Sequence, residues 1–207
     1  MISLAIFIFS CIVTNSIAQK NYALKNGFSI TNTVGRPAYN YGLPDNMTVR
    51  DEVRIQTVVG MQIGNRWYIK PSEKFGVGIL AHWFDFSLGT RDIPEYGTSR
   101  LVIDFSIGEV GPVATIALNR DIAFDAYYNL RPTFFYSTFT NIDSEHENSY
   151  DGVGITYKIG TAFRWKVLTF GVEYVFGKIH NSNDNITYSN TENIVVNNFR
   201  MNIGVKF

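Results

Sequence analysis

Few side chains in this 207-residue chain are suited to chemistry, and only three are histidines. His82 stands next to Trp83 and near Asp85 and Ser87, the residue types of a base, an orienting acid and a nucleophile. In extended chain, successive side chains face opposite sides, so Asp85 and Ser87, both at odd separations, are expected to point away from His82. A triad would then need partners from neighbouring strands, and His82 reads as an interior or boundary histidine. His146 lies between Glu145 and Glu147, and His180 opens a polar stretch. Both suit weak cation contact, but neither has the ligand spacing of a structural metal site. The single cysteine, Cys11, follows Ile8-Phe9-Ser10, which loosely resembles a lipid-attachment motif. Bulky Phe9 and an apolar run that continues to Val13 argue against that reading. No Gly-rich phosphate loop or metalloprotease signature occurs. The expectation is a protein without catalytic residues, cofactor or metal.

A second set of residues is more telling, because these are full charges inside otherwise apolar segments. Arg54, Asp104, Asp125, Arg131, Lys158, Arg164, Glu173 and Arg200 all fall on the polar side of alternating stretches. At the C-terminus Phe199, Met201, Ile203, Val205 and Phe207 alternate with Arg200, Asn202, Gly204 and Lys206. Upstream, Leu168, Phe170, Val172, Tyr174 and Phe176 alternate with Thr169, Gly171, Glu173 and Gly177, and Val153, Ile155, Tyr157, Ile159 and Phe163 with Gly154, Thr156, Lys158, Gly160 and Arg164. Val53, Ile55, Val59, Met61 and Ile63 do the same against Arg54, Gln56, Gly60 and Gln62. Each segment therefore has one oily and one polar face.

Eight such strands can be placed, at about 21–34, 52–64, 75–88, 99–118, 122–139, 152–164, 168–180 and 195–207. The fourth changes phase around Gly108-Glu109-Val110-Gly111-Pro112, which reads as a bulge; a hairpin there would spoil the even count. Short turns are expected at 119–121 and 165–167 and a middling one at 65–74, with longer polar loops at 35–51, 89–98, 140–151 and 181–194. Short turns at one end and long loops at the other describe an outer-membrane barrel with both termini on the periplasmic side. Met1–Ala18 carries no charge, has an apolar core and ends Ser16-Ile17-Ala18, the shape of a cleaved signal peptide before a barrel domain at 19–207.

Which face meets lipid follows from volume. Eight strands enclose a lumen that side chains barely fill, so it has no room for so many large apolar groups. Turned outward they meet hydrocarbon, and the charges turned inward can pair, Arg131 or Arg164 with Glu173, Asp104 or Asp125. A selective pore lined by Arg54, Arg131, Lys158, Arg164, Arg200 and Lys206 is the alternative to a salt-bridged plug; the plug is favoured, leaving at most a narrow path for water or small ions. Aromatic belts are expected from Trp67, Tyr68, Phe163, Trp165 and Phe207 at the periplasmic rim and Phe86, Tyr136, Phe139 and Tyr150 at the other. With 18 Lys+Arg against 18 Asp+Glu, the chain lacks the basic excess of a nucleic-acid binder.

The stretches Asp121–Thr133, Phe163–Val167 and Gly171–Gly177 resemble small outer-membrane β-barrel proteins of the Bacteroidetes type. The alternating end, closing on Phe207, looks like the assembly signal of such barrels. The resemblance implies an all-β, eight-stranded antiparallel up-and-down barrel in the bacterial outer membrane. Its partners would be outer-membrane lipid and the insertion machinery that pairs with the last strand. It implies no single activity. A structural, surface-interaction or envelope-maintenance role stands first, a narrow channel second, and a lipid-modifying enzyme third.

Overall fold

The computed structural model describes residues 23–43, 54–69, 71–93, 98–141, 146–181 and 193–207. The expected signal peptide, Cys11 and the side chain of His146 lie outside the described residues. Ten β-segments follow in order: β1 (Gly27–Pro37), β2 (Val58–Ile69), β3 (Phe75–Ile93), β4 (Thr98–Ala117), β5 (Ile122–Asn141), β6 (His146–Trp165), β7 (Leu168–Phe176), β8 (Lys178–Asn181), β9 (Asn193–Val195) and β10 (Asn198–Lys206). β7 with β8 and β9 with β10 are interrupted single strands, so the ring has eight. Every neighbour is antiparallel, and β1 pairs with β10 to close the cylinder. A closed ring leaves no unsatisfied backbone edge in hydrocarbon.

Alternation sorts the side chains as the closed ring requires. Phe170, Val172, Ile203 and Met201 are exposed on the outside, whereas Glu173 and Arg200 are 1% and 0% exposed inside. Val205 shares the outer parity but is covered, lying in register between Ile30 and Leu168. Rings line up across strands on the outer face, with Phe84 and Phe105 5.0 Å apart and Phe124 and Phe163 5.2 Å apart. Such cross-strand pairs add packing on a lipid-facing surface.

Two irregularities re-aim the middle of the barrel. Between β2 and β3 the register shifts, so that Ile63 faces Phe84 but Gly64 faces His82, leaving Trp83 as the extra residue. Between β4 and β5 it shifts again between Ser106 and Val110, where Gly108 holds φ +70°. This second bulge is the phase change expected near Gly108; the left-handed backbone suits glycine. Trp83 projects into the lipid zone and donates its indole N–H to Asn65 Oδ1 at 2.7 Å, satisfying an outward amide. At Gly177 (φ +148°) strand seven breaks and is held by the Asn197 side chain, which accepts from Gly177 N at 3.0 Å.

Several boundaries differ from expectation. The second strand begins at Val58 rather than 52, because Ile55 turns into the barrel instead of joining the outer face. The segments 89–98 and 140–151, expected as loops, are largely strand: the ladders run on to Ile93↔Thr98 and Asn141↔His146. β4, β5 and β6 each reach 20 residues. Crossing the hydrocarbon takes about 9–11 tilted residues, so roughly half of each stands beyond it. Cross-strand hydrogen bonds can carry polar sequence this far, which hydropathy alone does not reveal.

Candidate functional site

The lumen is filled in layers. At the periplasmic end Ala23 and Leu24 pack with Ala117 and Ala123, and Arg164 Nη2 donates to Ala23 O at 2.7 Å. Above this cap lies Asp125. It accepts from Arg66 Nη1 at 2.6 Å, Arg164 Nε at 2.7 Å and Thr115 Oγ1 at 2.6 Å. A thin apolar layer of Leu80, Val113, Tyr127 and Ala162 follows.

The main charged layer draws on strands all round the ring. Arg131 donates to Glu109 at 2.6 Å and Asp104 at 3.0 Å and lies 3.4 Å from Asp85. From across the lumen Arg200 reaches Asp85 at 2.9 Å and Asp104 at 2.8 Å, and stands 3.7 Å from Glu173. Lys158 contacts Asp85 at 3.1 Å and also pairs with Glu109. Gln62 and Tyr127 donate to the two oxygens of Glu173 at 2.6 and 3.1 Å. Each ion is nearly or wholly buried, so its partners replace the water it has lost. Among the described residues of this layer, four carboxylates (Asp85, Asp104, Glu109, Glu173) meet three fixed cations (Arg131, Lys158, Arg200).

An apolar cap seals the other end. Tyr41 and Leu43, folded in from beyond β1, pack with Ile55, Val58, Val102, Phe135, Tyr150, Ile179, Ile194 and Val196. Gly42 N donates to Val195 O at 2.8 Å and Val195 N to Leu43 O at 3.0 Å, tying the segment to β9. The Tyr41 hydroxyl donates to Asp104 at 3.1 Å, and burial beside that carboxylate holds its phenol well above its ordinary value of 10.0.

Of the eight charges read from sequence, seven lie in these layers. Arg131 meets Asp104, Arg164 meets Asp125, and Glu173 is nearest Arg200. Arg54 does not join them. It precedes β2, is half-buried on the outside, stacks over Tyr39 at 5.2 Å and donates to Pro37 O at 3.4 Å. The reason is the late start of β2, which takes Arg54 out of the ladder and its parity. Of the expected belt, Tyr68 turns inward to Thr115 at 2.8 Å, and Phe139 and Tyr150 pack with the outer cap. Trp67 and Trp165 do face outward.

Three members of the layers escaped the sequence reading. Asp85 lies on the same side as His82, contrary to the alternation of extended chain, because the extra residue at Trp83 reverses parity after His82; His82, Asp85 and Ser87 all point inward. Glu109 follows the Gly108 bulge, whose phase change was the available signal. Arg66 lies where a turn was expected. The inward trio makes no triad. Ser87 Oγ has no hydrogen-bond partner among the described residues. His82 Nδ1 is instead 3.1 Å from Glu109 and 3.0 Å from Lys158. His82 borders a partly open space of about 30 Å³, lined by Gln62, Leu80, Tyr127 and Lys206 among others. That is room for about one water.

No protein-family model matches the sequence, and no curated protein does. Solved structures do. Ail, the attachment invasion locus protein of Yersinia pestis, superposes with a TM-score of 0.50 at 15% identity, over 88% of this chain and 97% of that one, in a crystal with the heparin analogue sucrose octasulfate. Neisserial surface protein A aligns at 0.48 and 9% over 87% and 95%, and OprG of Pseudomonas aeruginosa at 0.44 and 13% over 91% and 98%. The likeness to Ail is one of fold. Together with the oily exterior and ionic interior, it makes this chain a closed eight-stranded antiparallel barrel of the bacterial outer membrane.

Proposed function

We propose that this is a non-enzymatic barrel whose sealed, ion-paired body carries a surface-interaction platform outside the cell. One observation carries the reading: every layer of the described lumen is occupied, with capped ends. A channel would need a continuous polar path, and a lipid-modifying enzyme would need a reachable base. The space beside His82 is about 30 Å³, far below what a lipid headgroup needs, and its neighbours Glu109 and Lys158 are already ion-paired.

What then meets the exterior is the tall side of the barrel. The β2–β3 ladder stops at Val59↔Leu88 and the β6–β8 ladder at Gly152↔Asn181, whereas β3 to β6 stay paired beyond both. Some five further residues at about 3.4 Å each, tilted near 40°, give a four-stranded sheet standing roughly 13 Å above the rest of the rim. This sheet carries its hairpin ends clear of the shorter strands, where their side chains can contact a partner. Ail's crystallised sulfated ligand makes polyanionic glycans one class to present to it. Bacteria displaying the protein are expected to bind at least one ligand from a panel of sulfated glycans and extracellular proteins. Shortening the β3–β4 and β5–β6 hairpins to the height of Leu88 should abolish that binding while the barrel still folds. Stepwise conductance in planar bilayers, or an altered lipid A profile on expression, would overturn the reading.

The C-terminal pattern Phe199, Met201, Ile203, Val205 and Phe207 keeps its proposed role as the assembly signal read by the insertion machinery. Its support is the placement of Phe207 at the barrel seam, where Phe207 N donates to Phe28 O at 2.8 Å.

A further inference from the structure

Arg54, displaced from the lumen, forms part of an open cavity of about 580 Å³ on the outer wall near the extracellular end of β1 and β10. Val34, Arg36, Arg54, Gln56, Phe199 and Met201 line most of it. Val34, Phe199 and Met201 belong to the lipid-facing surface and are 55%, 46% and 61% exposed. Arg36 faces outward in register with Phe199. From Phe28 to Arg36 the outer face of β1 climbs about 21 Å, taking 3.4 Å per residue and a tilt near 40°, against an apolar band of about 25 Å. Arg36 therefore stands at the top of the band, where acyl chains give way to headgroups.

Among the described residues, the cavity wall holds two guanidinium groups and no carboxylate. Arg36 makes no ion pair or side-chain hydrogen bond among the described residues, and the bond of Arg54 to Pro37 O uses one of its five donors. An outward arginine is tolerated at this depth, but two of them beside bare aliphatic and aromatic surface form a fork for a phosphate with grease beneath it. We infer that this groove binds a phosphorylated glycolipid of the outer leaflet, its phosphate held between Arg36 and Arg54 and an acyl chain laid over Val34, Phe199 and Met201. The volume lies within the usual range for a bound small molecule, about 300–1,000 Å³. The site is outside the lumen and depends on the membrane placement alone, not on the proposed surface role.

The test titrates the whole refolded barrel in neutral-detergent micelles with diphosphoryl lipid A and counts bound lipid by native mass spectrometry. Arg36→Gln combined with Arg54→Gln should weaken binding roughly tenfold or more, since each charge-assisted bond is among the stronger kinds. Arg36→Lys with Arg54→Lys should lose only a fewfold. Gln56→Glu, at an exposed position that leaves both arginines in place, should also weaken it by placing a negative charge in the fork. Heat-modifiable gel migration reports folding of each variant independently. Unchanged affinity in the folded Gln variants would overturn the inference. So would equal binding of dephosphorylated lipid A, or displacement of the lipid by inorganic phosphate alone, which would mark a free-anion site.

Discussion

Replacing Arg131 by methionine tests whether the ionic core holds the barrel together. The substitution keeps an unbranched, flexible side chain, about two atoms shorter, and removes one cation from a layer of four carboxylates and three cations, leaving four against two. Arg131 stands 2.6, 3.0 and 3.4 Å from Glu109, Asp104 and Asp85. At an effective dielectric near 20 each such contact is worth about 5 kcal/mol of gross attraction. Most of that offsets the desolvation of the ions, and the net cost of stranding buried partners is about 3–5 kcal/mol. That is roughly two to three and a half powers of ten in the folding equilibrium. Equilibrium unfolding in urea from lipid vesicles measures it, and the double variant Arg131→Met with Glu109→Gln supplies the cycle. Removing one charge of each sign restores the original imbalance, so the double variant should recover at least half of the loss. A single-variant loss below about 1 kcal/mol, the scale of an exposed pair, would refute the reasoning, because the layer would then have to be wet and screened.

The other expectations are read with the same assay or a simple extension of it. Ile203→Arg, outward and half-exposed to lipid, should cost about 2–4 kcal/mol if it lies near the bilayer midplane; a neutral outcome would place the strand elsewhere. Gly108→Ala has open space for its methyl group, so only the left-handed backbone opposes it, by about 1–2 kcal/mol. A larger loss would point to a packing role that the open space does not show. Tyr41 has a phenol pKa raised above its unfolded value, so its contribution is present below about pH 10 and fades as pH rises through the folded value. Protease access to the outer cap should therefore rise above pH 10 in the native protein and lose that dependence in Tyr41→Phe. Deleting Phe207 should leave refolding in vesicles nearly intact but impair insertion in cells; equal insertion would remove the proposed assembly role.

Sequence alone determined the class of fold and the sense of its two faces, because both follow from a local rule: side chains alternate along a strand. Thus Phe170 and Ile203 lie outside, Glu173 and Arg200 inside, and the break in rhythm at Gly108 marks a bulge. Tertiary structure decided what parity cannot carry. One extra residue at Trp83 brings His82, Asp85 and Ser87 to the same side, and nothing in their own spacing announces it, since a bulge exists only relative to the partner strand. Arg200 meets Asp85 across the lumen, a pairing set by barrel closure and shear. Ile55 and Arg54 part ways, one into the cap and one onto the outer wall, because the ladder with β1 ends before it reaches them. The height of the β3–β6 sheet likewise depends on how far backbone pairing runs along each hairpin, which the polarity of the side chains does not encode.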